Sequence, residues 1–174
     1  MMSDLMIILL TPLLMTAVYT DLRWSRIPNW LTFSAMGVGM VVHAWMYGFS
    51  GALVSVAGCA LGMGLFLLPY ACRAIGAGDV KLVAGIGSIV GPAGIVSVAA
   101  LSVLAGGIYA LGVMGYQWGI VAASRKLAYA TYGTLASGGS TGAGDFQLPY
   151  RLRYGLAIAV GTLLFLGGVQ PFGG

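Results

Sequence analysis

Residues 51–70 read GALVSVAGCALGMGLFLLPY, a stretch without a single charged side chain. About 20 apolar residues in a helix are enough to cross the hydrocarbon core of a bilayer. The same character extends along the chain, because 59% of its 174 residues are hydrophobic and 7% are charged. Soluble domains carry about 25% charged residues. The sequence therefore predicts an all-α polytopic membrane protein that forms one domain, residues 1–174.

Six apolar segments are predicted to be transmembrane helices. They cover, approximately, residues 4–20, 30–47, 51–70, 79–90, 92–122 and 154–169. The fourth is short: its length corresponds to about 18 Å of helix, against a hydrocarbon core of about 30 Å. It is therefore expected either to be partly re-entrant or to begin below the membrane surface. The segment at about 120–150 is predicted to be a cytoplasmic loop, amphipathic at first and then a flexible Gly/Ser/Thr-rich linker.

The basic residues test this segmentation, because cytoplasmic loops carry an excess of Lys and Arg. All eight lie at or beside the first, third and fifth connections between consecutive segments. In a chain that crosses the membrane six times, these connections are on the same side. They are Arg23, Arg26, Arg73, Lys81, Arg125, Lys126, Arg151 and Arg153. That side is predicted to be cytoplasmic, and both termini are predicted to be on the other side. The basic residues form no solvated patch, so nucleic acid is not an expected partner.

The two cysteines, Cys59 and Cys72, are too few and wrongly spaced for a four-ligand zinc site. No metal and no cofactor are therefore expected.

The chain has four acidic residues, all of them aspartates. Asp4 is near the non-cytoplasmic terminus, where a solvated or capping role is expected. Asp21 ends the first apolar run and precedes a turn at Pro28 and Asn29. Proline disfavours helix in the residue before it, and asparagine is a preferred N-cap, so Asn29 is predicted to cap the second helix. The first helix is thus expected to end at Asp21.

Asp79 lies in the stretch IGAGDVKLVAG, residues 75–85. Gly76 and Gly78 free the backbone just before a helix begins. Asp21 and Asp79 are both predicted at helix ends on the cytoplasmic side, where they meet if the first and fourth segments pack together. Two adjacent carboxylates can share a proton. One then activates water while the other polarises a peptide carbonyl and protonates the leaving amine.

Other interpretations of this pattern remain open. Each aspartate alone is consistent with helix capping or with pairing to a neighbouring Lys or Arg. A small transporter would place ionisable groups near the bilayer midplane, whereas these aspartates are predicted at span edges. A non-catalytic membrane scaffold would explain the 29 glycines, since small residues allow close helix packing, but not the paired aspartate motifs.

Three stretches resemble the type IV prepilin peptidase family of GxGD intramembrane aspartyl proteases, and most closely its short Flp/Tad-pilus form. They are Asp21 with the Ile-Pro-Asn turn at 27–29, the GAGDVKL motif at 76–82, and LPY at 148–150 followed by YGLAIA at 154–159. The resemblance implies that Asp21 and Asp79 are catalytic. It also implies cleavage of the short basic leader of a prepilin at the cytoplasmic face of the bacterial inner membrane.

Two features depart from the family pattern. The chain lacks the cysteine-rich zinc-binding part of the longer members, which also N-methylate the new pilin terminus, so methyltransferase activity is not expected. A second GxGD motif ends at Asp145. It falls in the predicted linker, and catalytic carboxylates need rigid positioning, so Asp145 is not expected to be catalytic.

Some weaker candidates surround the proposed site. Lys81, Pro149 and Tyr150 are predicted to contact the substrate, with topology or helix-start roles as alternatives. His43 falls toward the non-cytoplasmic side, where a hydrogen-bonded packing role is expected.

The helix dipole predicts different protonation states for the two aspartates. A helix C-terminus disfavours negative charge and an N-terminus favours it. At rest, Asp79 is therefore predicted to be the ionised base and Asp21 the protonated acid.

Overall fold

A computed structural model describes residues 2–72, 74–118, 154–169 and 171 of the chain. In this part the chain forms four helices and no strand: α1 (Met2–Trp24), α2 (Asn29–Ala71), α3 (Ala77–Trp118) and α4 (Tyr154–Leu166). The first three are long and apolar enough to cross a membrane. The all-α prediction is therefore confirmed for the described residues. The predicted loop at about 120–150, with Asp145, Pro149 and Tyr150, lies outside them.

The chain divides into two compact units. The first consists of Met1–Gly106 and Arg153–Gly174, and the second of Gly107–Leu152. The apolar core lies in the first unit, and so do Asp21 and Asp79. Of the second unit, the structure describes only the last part of α3.

The described helices number four rather than the predicted six. Predicted segments two and three join within α2, and segments four and five join within α3. In each case a single non-helical glycine replaces a loop, namely Gly48 (φ 65°, ψ −148°) and Gly91 (φ 76°, ψ −179°). Glycine adopts positive φ without steric cost because it has no Cβ. The separation into six helices is therefore wrong, although its boundaries fall at these two kinks.

Both long helices fold back at their kinks. A Cβ built on Gly51 would collide with the carbonyl oxygen of His43, eight residues earlier. A Cβ on Gly87 would lie 3.2 Å from Cγ1 of Ile95, eight residues later. Residues this far apart in a straight helix are separated by about 12 Å along the axis. The kinks therefore bring the two halves of each helix against each other.

The first half of α3, before Gly91, is the centre of the core. Every residue from 82 to 91 is buried, and Leu82, Val83 and Ile86 are completely inaccessible. This is the fourth predicted segment, which is too short to span the hydrocarbon core alone. Because protein surrounds it, the backbone groups at its end are not exposed to lipid and need not reach the membrane surface.

Small residues allow the surrounding helices to approach this central segment. A Cβ on Gly58 would collide with the carbonyl oxygen of Gly87. Nearby, the Ser55 hydroxyl donates to the Ser88 carbonyl oxygen at 2.9 Å, and the Ser88 hydroxyl donates to the Gly85 carbonyl oxygen at 2.8 Å. These buried hydroxyls are hydrogen-bonded, as burial of a polar group requires.

The turn between α1 and α2 differs in two details from the prediction. The first helix continues past Asp21 to Trp24, because the backbone carbonyl of Asp21 still accepts a hydrogen bond from the Ser25 amide at 2.9 Å. Pro28, which is extended, occupies the N-cap position of α2 and Asn29 is its first helical residue. The prediction that Asn29 caps α2 is wrong, because its side-chain oxygen accepts a hydrogen bond from Lys81 instead.

Candidate active site

Asp21 extends the buried face of α1. Leu10, Leu14 and Ala17 precede it at helical spacing and are buried in the core. Asp21 itself is 8% exposed. Its carboxylate lies against α4, since a Cβ built on Gly155 would be 2.8 Å from Oδ2. Burying a carboxylate is costly, so its place on this face is a strong indication of function.

Asp79 is the third residue of α3 and is also 8% exposed. Its Oδ2 accepts a hydrogen bond from the Gly76 amide at 3.0 Å, and its own amide donates to the Gly76 carbonyl oxygen at 3.1 Å. An acidic side chain that reaches back to the N-cap amide is the second half of a capping box. The carboxylate is therefore held in a fixed orientation, and the capping interpretation of Asp79 has a structural basis.

The two predicted motif loops pack against each other. A Cβ on Gly78 would lie 3.2 Å from Cβ of Ile27, the residue before Pro28. A Cβ on Gly76 would lie 3.3 Å from Oδ2 of Asp79. Glycine at these two positions therefore leaves room for the Ile-Pro-Asn turn and for the carboxylate.

The ends of α1, α3 and α4 are linked by two close contacts. Gly155, at the start of α4, contacts the Asp21 carboxylate. Ile27, in the turn that follows α1, contacts Gly78, the residue before Asp79. The two aspartates are therefore at helix ends that are connected through neighbouring contacts.

Tyr154 is itself well packed. Its hydroxyl lies 3.5 Å from the Ser102 carbonyl oxygen. Its ring contacts Phe66 edge to face, with 6.1 Å between ring centroids. A Cβ on Gly106 would lie 2.6 Å from its ring. The ring is therefore positioned by contacts with α2 and α3.

Lys81, a predicted substrate contact, is two residues after Asp79 and links two helices. Its Nζ donates to Oδ1 of Asn29 at 2.9 Å and lies 5.6 Å from the centre of the Phe33 ring. The residue as a whole is half-buried. The other two predicted substrate contacts, Pro149 and Tyr150, lie outside the described residues.

His43 is buried and its Nδ1 lies 3.1 Å from the Gly39 carbonyl oxygen. It is about 21 Å along α2 from Asn29, by the helical rise per residue. This agrees with a packing role away from the two aspartates. Among the residues that the structure describes, no group of three or more His, Cys, Asp or Glu side chains is arranged to hold a metal ion.

The roles of Tyr154 and Gly155 were not predicted from the sequence. Both belong to the third stretch that carries the resemblance, but the chain offers no local sign of what they contact. A glycine at the start of an apolar helix, following an aromatic residue, is the one available signal. It does not indicate which of the four aspartates lies beside it.

The chain was compared with known proteins. A model of the type IV leader peptidase family matches residues 8–111. The matched region is more than half of the chain and includes both Asp21 and Asp79. No curated protein and no solved structure shows significant similarity to the chain.

Proposed function

The chain belongs to the type IV leader peptidase family, and on this basis we propose that Asp21 and Asp79 are the catalytic pair of an intramembrane aspartyl endopeptidase. The observation that carries the proposal is the burial of both carboxylates at connected helix ends, where Asp21 contacts Gly155 and the residue before Asp79 contacts the turn after α1. Elsewhere in the described residues, Asp4 lies near the opposite end of α1 and is exposed.

The proposed reaction is the hydrolysis of one peptide bond. The ionised carboxylate takes a proton from water, and the resulting oxygen nucleophile attacks the carbonyl carbon. The protonated carboxyl group donates a hydrogen bond to the carbonyl oxygen. As the C–N bond breaks, this group gives its proton to the leaving amine, and the pair keeps the one proton that was taken from water. This chemistry needs no metal ion or cofactor.

The hydrogen bond from Gly76 supports Asp79 as the ionised member of the pair, since donors stabilise a carboxylate. Asp21 lies in the last turn of α1, where the helix dipole disfavours negative charge. We therefore expect Asp79 to lose its proton at lower pH than Asp21. Residue-resolved carboxyl titration by NMR or infrared spectroscopy measures the order directly, and the reverse order contradicts this assignment.

The proposed substrate is a Flp-like prepilin with a short basic leader followed by a hydrophobic helix. Removal of the leader at the cytoplasmic face of the bacterial inner membrane would support assembly of a pilus or a related secretion system. The confinement of the basic residues to odd-numbered connections supports this orientation, with both termini non-cytoplasmic. The substrate helix would approach through the surrounding lipid. N-methylation of the product is not part of the proposal.

We also propose that the chain crosses the membrane six times. The 43 residues of α2 correspond to about 64 Å of helix, about twice the thickness of the hydrocarbon core. The 42 residues of α3 give a similar length. The reversals at Gly48 and Gly91 would turn each long helix into two crossings.

The proposed function is tested by co-expressing a Flp-like prepilin with the wild type and with Asp21→Asn or Asp79→Asn. Asparagine preserves the shape of aspartate but neither carries its charge nor transfers its proton. Each variant is expected to leave the precursor at full length on a gel. Asp4→Asn is the matched control and is expected to process normally. Processing by both Asp21→Asn and Asp79→Asn contradicts the proposal.

A further inference from the structure

The contact between Asp21 and Gly155 leaves no room for a Cβ at position 155 unless the Asp21 side chain or the helix moves. A Cβ on Gly155 would lie 2.8 Å from Oδ2, 3.2 Å from Cγ and 3.3 Å from Cβ of Asp21. Rotation of the Asp21 side chain moves its carboxylate, but its Cβ is fixed to the backbone of α1. An added methyl group therefore displaces either the carboxylate or the first turn of α4.

The residue before Gly155, Tyr154, packs on the part of α2 that lies against the start of α3. Gly58 contacts Gly87 and Gly62 contacts Val83, so α2 and α3 are antiparallel here and the next turn of α2, at Phe66, comes opposite Asp79. Tyr154 is fixed in turn by the edge contact with Phe66 and by its close approach to Gly106. A displacement of α4 at Gly155 is therefore transmitted to Tyr154 and changes the surroundings of both carboxylates.

Resting on the proposed function, we propose that Tyr154 and Gly155 are positioning residues that set the relative placement of the two catalytic carboxylates. Because Gly155 has no side chain, the Asp21 carboxylate can lie directly against α4. Tyr154 packs on Phe66, on the turn of α2 that comes opposite Asp79. A shift of the first turn of α4 is therefore expected to change the distance between the acid and the base.

The principal test is the kinetics of prepilin cleavage by purified Gly155→Ala in lipid nanodiscs. Misplacement of a reacting group by about 1 Å can cost about 100-fold in rate, so kcat is expected to fall by about this factor while KM is unchanged. Because two interacting carboxylates titrate as a pair, the pH limits of kcat are also expected to move. Tyr154→Phe, which removes the hydroxyl but keeps the ring, is expected to shift the same limits with a smaller loss of kcat.

Gly58→Ala is the matched control for packing. Gly58 is buried on α2, and a Cβ there would collide with the carbonyl oxygen of Gly87 on α3 rather than with α4 or a catalytic group. This variant is expected to lower the melting temperature without moving the pH limits. Gly64→Ala is the control for the substitution itself, because a Cβ at Gly64 meets no atom within 4 Å.

The outcomes distinguish this proposal from the proposed function. Wild-type kcat and pH limits in Gly155→Ala overturn the positioning role, even if Asp21→Asn and Asp79→Asn are inactive. A loss of kcat that parallels the loss of melting temperature in both Gly155→Ala and Gly58→Ala, with unchanged pH limits, also overturns it, since packing alone explains that result. Cleavage by Asp21→Asn and Asp79→Asn overturns the proposed function instead.

Discussion

The carboxylate of Asp21 lies directly against Gly155, although the two residues are far apart in the sequence. The Cβ of Asp21 would be 3.3 Å from a Cβ built on Gly155. This relationship connects the end of α1 to the start of α4. It places a buried carboxylate against the first turn of α4, beside Tyr154, whose ring packs on Phe66 of α2.

This contact predicts a disulfide that can be tested without any assay of activity. Cβ atoms of disulfides are about 3.5–4.5 Å apart, so Asp21→Cys with Gly155→Cys needs only a small adjustment to form one. The native cysteines, Cys59 and Cys72, are first replaced by alanine. Mild oxidation is expected to join the two introduced cysteines, as measured by mass spectrometry of the digested protein.

Asp21→Cys combined with Gly161→Cys is the control for the disulfide. Position 161 is about 9 Å farther along α4, by the helical rise per residue. Little or no disulfide is expected from this pair. Equal yields from the two pairs would show that α1 and α4 do not have the observed register.

Gly58→Ala is expected to destabilise the protein. An added Cβ would collide with the Gly87 carbonyl oxygen and lie 2.9 Å from the Cα of Gly91, neither of which can rotate away. Overpacking of a core costs about 1–3 kcal/mol, which exceeds the helix-propensity gain of about 1 kcal/mol for replacing glycine by alanine. Thermal unfolding in detergent is the measurement.

Gly64→Ala is the matched variant, because Gly64 is exposed on the same helix and has open space at its Cβ position. Its melting temperature is expected to equal or exceed that of the wild type. If Gly58→Ala is equally stable, the helices around Gly58 and Gly87 are farther apart than the structure shows.

The proposal of six crossings predicts opposite accessibility for the two ends of the second half of α2. Phe49 follows the kink at Gly48 and is 81% exposed, while the exposed Cys72 lies just after the helix. About 34 Å of helix separates them. In a background with Cys59 and Cys72 replaced, Phe49→Cys is expected to react with a membrane-impermeant maleimide added outside spheroplasts.

Cys72 alone, with Cys59 replaced, provides the comparison. It is expected to react only after the membrane is permeabilised. Reaction of both positions from the same side would mean that α2 does not reverse across the bilayer at Gly48, and it would exclude the six-crossing topology.

Lys81→Ala tests whether the amine of Lys81 also contacts the substrate. We expect a higher KM for prepilin with little change in kcat, because a contact remote from the scissile bond contributes mainly to binding. Asn29→Ala is the control, since it removes the hydrogen-bond partner of Lys81 but keeps its charge. Unchanged KM and kcat in Lys81→Ala, or the same increase of KM in both variants, would leave Lys81 only a structural link between α2 and α3.

The sequence by itself determined the class of the protein and the chain positions of its main features. Uncharged runs such as 51–70 predict long apolar helices because the length needed to cross a bilayer is a local property. The kinks occur where glycine supplies a positive φ, at Gly48 and Gly91. Asp21 and Asp79 were distinguished by their immediate neighbours in the chain, which is also local information.

The tertiary structure decided which residues meet. It enclosed the short segment before Gly91 within the core, and it turned the Asn29 side chain toward Lys81 instead of the end of its own helix. It also placed Gly155 against Asp21. Each result depends on packing between segments that are distant in sequence, and helical periodicity does not specify which glycine faces which carboxylate. For that physical reason the sequence indicated the candidate acids, whereas only the folded chain showed that Gly155 meets Asp21.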